Sequence, residues 1–179
     1  AAFAGGLAQR VLQHHYLQIA AVRMHQCGRA GLGQLRFQAL ARALGGEVIT
    51  DREQAEVGTV WLELTPEGER DPVFGSIGPR FPVQIGHEDI VTSLPDGAVL
   101  LASSETIENE AFCFPDKPIY ATQFHPELNR DGLIERVARY PAYLALTGAA
   151  TLDEFRDMTP ETPEAESLMP RFLEHVLSE

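Results

Sequence analysis

The chain has 179 residues, enough for one domain with a proper core and too few for two comfortable ones. It is 44% hydrophobic and 22% charged, ordinary for a globular protein, and two cysteines exclude a disulfide framework and favour a reducing cytoplasm. A net charge of −12 argues against nucleic acid as a partner, and no apolar run nears the roughly 18 residues that span a bilayer, so no membrane role is expected.

That charge is unevenly spread. Residues 1–46 hold five arginines and no Asp or Glu, while the remainder holds 9 basic and 26 acidic side chains. All twelve prolines fall at Pro66 or later. A solvated basic helix accounts for such a leader, and an organelle transit peptide is an alternative, although the segment is poor in serine.

In chain order, the spacing of Leu12, Tyr16, Ile19 and Ala20 predicts a helix over 7–24, broken at Cys27-Gly28. "LRFQALARALGG" predicts a second helix with Phe37, Leu40, Ala41 and Leu44 on one face and Gly45-Gly46 at its C-cap. Six short β-branched or aromatic runs then predict strands: 47–50, 59–64, 80–87, 98–104, 111–114 and 119–125. Turn signals such as "TPEGERDP" and "LPDG" separate them. "DGLIERVARY" returns to a helical period, with Leu133, Val137 and Tyr140 on one side and Pro141 limiting it. From Thr151 the chain is acidic, and "PRFLEHVLSE" predicts a closing amphipathic helix. Helix, strands, then helix indicate an α/β fold.

The run "IYATQFHPEL" ends a predicted strand on His125, with Glu127 two residues on. A histidine and a carboxylate so placed suit a general base and the group that orients it. The plain alternative is a surface pair, with Pro126 merely ending the strand.

Four pieces in register resemble the class I glutamine amidotransferases of the GMP synthase type: "QALARALGGEVI", "LTPEGERDPVF", "GHEDIVTSLPDGAVLLASSE" and "IYATQFHPEL". They run from about Phe37 to Glu127. The resemblance implies a partial fold of that family: a mostly parallel sheet with flanking helices, an antiparallel hairpin section and a helical C-terminal tail. It divides the chain into a non-matching basic segment (1–36), an amidotransferase-like domain (37–147) and an acidic helical tail (148–179). The implied reaction is hydrolysis of the glutamine side-chain amide, supplying ammonia to a synthetase subunit. A cysteine thiolate attacks the amide carbon, a histidine carries the proton to the departing ammonia, and a glutamate holds the imidazole. By resemblance His125 and Glu127 take the last two roles, while Gln38 and the backbone of Glu88 and Asp89 line the glutamine pocket. No cofactor and no metal are expected.

The family's nucleophile sits in a G-x-C-x-G-x-Q turn whose Gln lies seven residues before the first Gly of the "ALGG" pair. Here that register places the motif on "LGQLRFQ", so the cysteine position is occupied by Gln34 and the glycine positions by Leu32 and Arg36. A carboxamide cannot attack another amide at neutral pH, so the chain is expected to be inactive or impaired. Cys27 lies seven residues too early, and Cys113 reads as a strand residue of the core. His14, His15 and His25 read as solvated side chains rather than metal ligands, because adjacent helical positions diverge by about 100°. The family also normally carries two or more βα units before the nucleophile, so the front of the domain is expected to be truncated or altered. A shifted coding register is one account: "GQLR" can be written GGG-CAG-CTG-CGG, which one base later reads Gly-Ser-Cys-Gly. Two other functions stay open, a non-catalytic glutamine-binding or regulatory module and a related cysteine hydrolase of the γ-glutamyl hydrolase kind.

Overall fold

A computed structural model describes residues 34–177 of the chain, with side chains from Phe37 onward. The helix expected over 7–24, Cys27 and the three N-terminal histidines lie outside the described residues.

Helix α1 (Gln34–Ala43) buries Phe37 and Ala41 completely and Leu40 in part. Leu44, expected on the same face, is instead 43% exposed, because the helix has already ended and Gly45 turns the backbone to φ +99°. That conformation suits glycine. Gly46 lies so close to the next layer that a Cβ would stand 2.6 Å from the Ser93 carbonyl. The chain then enters β1 (Glu47–Thr50) and β2 (Glu56–Leu64). Thr65 caps the short helix α2 (Pro66–Arg70), accepting from the Gly68 amide, where "TPEGERDP" had read as a turn. Thr before Pro at the first helical position is equally a helix-start signal.

Five further strands follow: β3 (Arg80–His87), β4 (Asp89–Ser93), β5 (Val99–Ser103), β6 (Ala111–Phe114) and β7 (Ile119–Thr122). β1 and β4 form a two-stranded sheet, and the others a five-stranded sheet in the order β3-β2-β5-β6-β7. Every ladder between these strands is antiparallel, so the described residues carry the antiparallel section of the expected fold rather than its parallel part. Tight connections such as the four residues between β6 and β7 permit only that pairing.

The larger sheet curls until its ends meet. The His125 amide, just past β7, donates to the Gln84 carbonyl on the opposite edge strand β3 at 2.9 Å. One face of the sheet packs Leu62, Phe81, Val83, Ile85, Leu101 and Phe124 into the main core. Each such burial contributes about 1.5–3 kcal/mol. On the other side Phe37, Phe112 and Phe114 bind α1 to β6.

Helix α3 (Arg130–Arg139) is capped by Asn129 and buries Leu133, Ile134 and Val137, with Tyr140 half-buried at its end. Pro141 stops it and opens the short α4 (Pro141–Leu144). The tail forms α5 (Leu152–Met158), α6 (Pro163–Glu166) and α7 (Leu168–Leu177). Phe155 packs on α3, while Ala165, Leu168 and Phe172 join the main core, so residues 152–177 share the core of the sheet. This tail also covers the exposed edge of β3: Gln84 Nε2 donates to the Pro160 carbonyl at 3.1 Å. Among the described residues no helix is long and apolar enough to cross a membrane.

Candidate active site

Strand β7 stops at Thr122, three residues short of its expected end, and the chain bends through Gln123 and Phe124 to His125. Pro126 has no N–H to continue a ladder. It occupies the second position of a turn that the Leu128 amide closes on the His125 carbonyl at 3.0 Å. The turn folds Glu127 back beneath the imidazole, and Glu127 Oε1 lies 2.9 Å from His125 Nδ1. His125 is only 7% exposed, so the pair is not a surface accident.

The second ring nitrogen, Nε2, faces Arg136 Nη1 at 3.3 Å. A guanidinium can only donate, so Nε2 accepts, Nδ1 carries the proton, and Nδ1–H donates to Glu127. This is the neutral tautomer a general base requires. Burial works against the Glu127 anion, but the His125 hydrogen bond and charge outweigh it, with a further contribution from Arg136. Its carboxyl is therefore held below the ordinary carboxylate value.

Gln38 lies on the same side of the fold. Its Nε2 donates to the Asp89 carbonyl at 3.2 Å, and Gln123 Nε2, from the bend before His125, donates to the same oxygen at 3.2 Å. Both amide oxygens, Gln38 Oε1 and Gln123 Oε1, are buried without a partner. Buried acceptors normally find donors, so two of them beside one carbonyl leave an unmet demand. The backbone of Glu88 and Asp89 is already engaged: the Glu88 carbonyl accepts from the Asp51 amide at 2.9 Å, and the Asp89 carbonyl takes the two glutamines. Their side chains point elsewhere, Glu88 to Arg52 in an exposed ion pair and Asp89 Oδ1 to Thr50. Gln34 forms the first residue of α1; its side chain lies outside the described residues.

Cys113 behaves as its place in the sequence implies. It is buried on β6, and burial first, then the nearby Asp71 charge, pushes its thiol up to about 12. It cannot supply a thiolate at neutral pH.

Residues 35–132 match the family model of the class I glutamine amidotransferases. The chain belongs to that family. It is 42% identical over 95 residues to the glutamine-hydrolyzing GMP synthase subunit of Methanothermobacter thermautotrophicus, covering 53% of this chain and 49% of that protein. To the corresponding subunit of Methanosarcina mazei it is 39% identical over 97 residues, covering 53% and 48%. The amidotransferase domain is thus GMP synthase-like, and the chain spans about half the length of these curated relatives. Its fold resembles the crystal structure of a glutamine amidotransferase from Thermotoga maritima, with a TM-score of 0.63 and 23% identity over 79% of this chain and 59% of that one.

Three groups escaped sequence reasoning. Arg136 reads as one of several helix arginines, and Gln123 as a strand residue. The third is a buried cluster of Glu56, His87 and Glu110, in which His87 Nε2 lies 3.4 Å from Glu56 Oε2 and 3.8 Å from Glu110 Oε1. Burial first, then the Glu56 charge, raises the Glu110 carboxyl well above the ordinary value. Only the strand register, which sets Glu56 opposite His87, could have revealed it.

Proposed function

We propose that this amidotransferase domain binds glutamine in the region between Gln38, Asp89 and His125, and that it hydrolyses the side-chain amide poorly or not at all. The observation that carries the reading is the His125–Glu127 pair at 2.9 Å, with the imidazole in its neutral, proton-accepting tautomer. The unpartnered Gln38 and Gln123 oxygens supply acceptors suited to an ammonium or amide donor of the ligand. In this reading His125 is the base, Glu127 its orienter, and Gln38 with the Glu88–Asp89 backbone the pocket wall. Residues 37–147 form the amidotransferase-like unit, 148–179 its helical cover, and 1–36 stand outside it.

The family reaction forms a carbon–sulfur bond to the amide carbon and expels ammonia. Here the nucleophile position carries Gln34, and the buried Cys113 thiol stays protonated. Loss of a covalent nucleophile costs several orders of magnitude in turnover. The related archaeal proteins are named as glutamine-hydrolyzing subunits of GMP synthase, so a synthetase subunit is the partner class this domain would serve.

Ammonia release by the purified chain with glutamine tests the reading. Release no higher than that of His125→Ala is expected; a robust rate abolished by His125→Ala would overturn the inactivity. A second reading, a glutamine-binding regulatory module, is favoured by one contact: Arg136 occupies the Nε2 lone pair that a working base must present. Saturable glutamine binding without ammonia release supports it, and absence of binding defeats it.

A further inference from the structure

The cluster beneath the start of β4 presents three ligand atoms with nothing to bind. Glu56 opens β2, His87 closes β3, and the two are direct partners in the β2–β3 ladder; Glu110 immediately precedes β6. The His87 and Glu110 side chains have no solvent exposure, and that of Glu56 is 10% exposed. Glu56 Oε2, both Glu110 oxygens and both His87 nitrogens are buried without a hydrogen bond. Five orphaned polar atoms in one buried spot are far outside what a settled core tolerates. A single proton shared between the two carboxylates would leave the imidazole nitrogens unmet.

We propose that Glu56, His87 and Glu110 form a site for one divalent transition-metal ion of the zinc class. One ligand atom from each residue lies within 4.8 Å of the other two. Metal–ligand bonds of ~2.1 Å arranged tetrahedrally set ligand atoms ~3.4 Å apart. His87 Nε2 and Glu56 Oε2 already stand at 3.4 Å, and Nε2 and Glu110 Oε1, at 3.8 Å, need to close by only a few tenths. Two carboxylates and a neutral imidazole give the site a charge that a dication cancels, which an interior location demands. The imidazole selects against magnesium and calcium, which prefer oxygen alone. Glu56 is held for the task by its other oxygen, which accepts from Ser104 at 2.8 Å and from Thr106. Such anchoring of a ligand carboxylate is the usual outer shell of a metal site.

An ion here would tie β2, β3 and the entry to β6 together. Two short links run from it to the glutamine pocket: His87 leads directly into Glu88–Asp89, and the Glu110 carbonyl accepts from the Gln123 amide at 2.8 Å. The site stands on its own geometry and does not depend on whether glutamine is hydrolysed.

The test uses the full chain, stripped with chelator and then titrated with Co²⁺ and Zn²⁺ separately. One equivalent of Co²⁺ with visible bands of four- or five-coordinate geometry is expected. Zn²⁺ should displace it and raise the melting temperature by about 5 °C, with no response to Mg²⁺. His87→Gln and Glu110→Gln, which nearly preserve volume, should weaken Co²⁺ binding at least ~10-fold. Folded wild-type protein that takes up no Co²⁺ would overturn the proposal. So would undiminished binding in His87→Gln, which would place the ion elsewhere, for instance on His14, His15 or His25.

Discussion

Replacing Glu127 by Gln keeps the shape of the turn at Pro126 and removes only the charge beneath His125. In the native protein the carboxylate accepts from Nδ1 at 2.9 Å with its side chain 27% exposed. A charge-assisted hydrogen bond contributes about 1.5–3 kcal/mol and a neutral one about 0.5–1.5 kcal/mol, so the exchange costs about 1 kcal/mol at pH 7. For a domain of this size that is a fall of about 2–4 °C in melting temperature. The loss carries a pH signature. Because the folded carboxyl is held below its unfolded value, its contribution is present above the unfolded value and disappears as pH falls through the folded one. Urea unfolding of both proteins at pH 7, 5 and 3 should show a gap that is full at pH 7, nearly full at pH 5, and shrinking toward pH 3. A gap that is constant across this range, or that opens only in acid, would refute the assigned ion–imidazole contact.

Other substitutions probe the frame around the site. In a Cys27→Ser background, Cys113 should react with a thiol reagent at pH 8 only on unfolding, because its thiol is pushed up to about 12; rapid labelling of folded protein would contradict its burial. Gly68→Ala places a Cβ 2.1 Å from the Leu101 carbonyl on β5, and should cost about 1–3 kcal/mol in chemical unfolding. An unchanged midpoint would mean that α2 does not pack on that strand.

Much of the fold was legible because its signals are local. "RFPVQIGH" and "AFCF" are strands over the full predicted ranges, the first carrying buried Phe81, Val83 and Ile85. β4 was not read as a strand because only Glu88 separates it from β3, and no turn residue marks the place where the chain leaves one sheet for the other. The His125–Glu127 contact was legible for the same reason as the strands: the partners are two residues apart and a proline fixes the turn between them. Arg136 was not, since reaching Nε2 depends on how α3 docks against the sheet. Nor was the Glu56–His87–Glu110 cluster, whose members meet only through ladder register. Leu44 shows the converse limit, where helical periodicity ran one residue past the point at which Gly45 turns the chain away.

Isothermal titration of glutamine into the full chain examines binding and turnover together, since turnover appears as sustained heat and binding as heat that saturates. A saturating isotherm that returns to baseline, and that is weakened in Gln38→Ala, is the predicted result. Sustained heat output with glutamine in excess would show a working nucleophile, and no heat across several temperatures would show that no glutamine site exists between Gln38, Asp89 and His125.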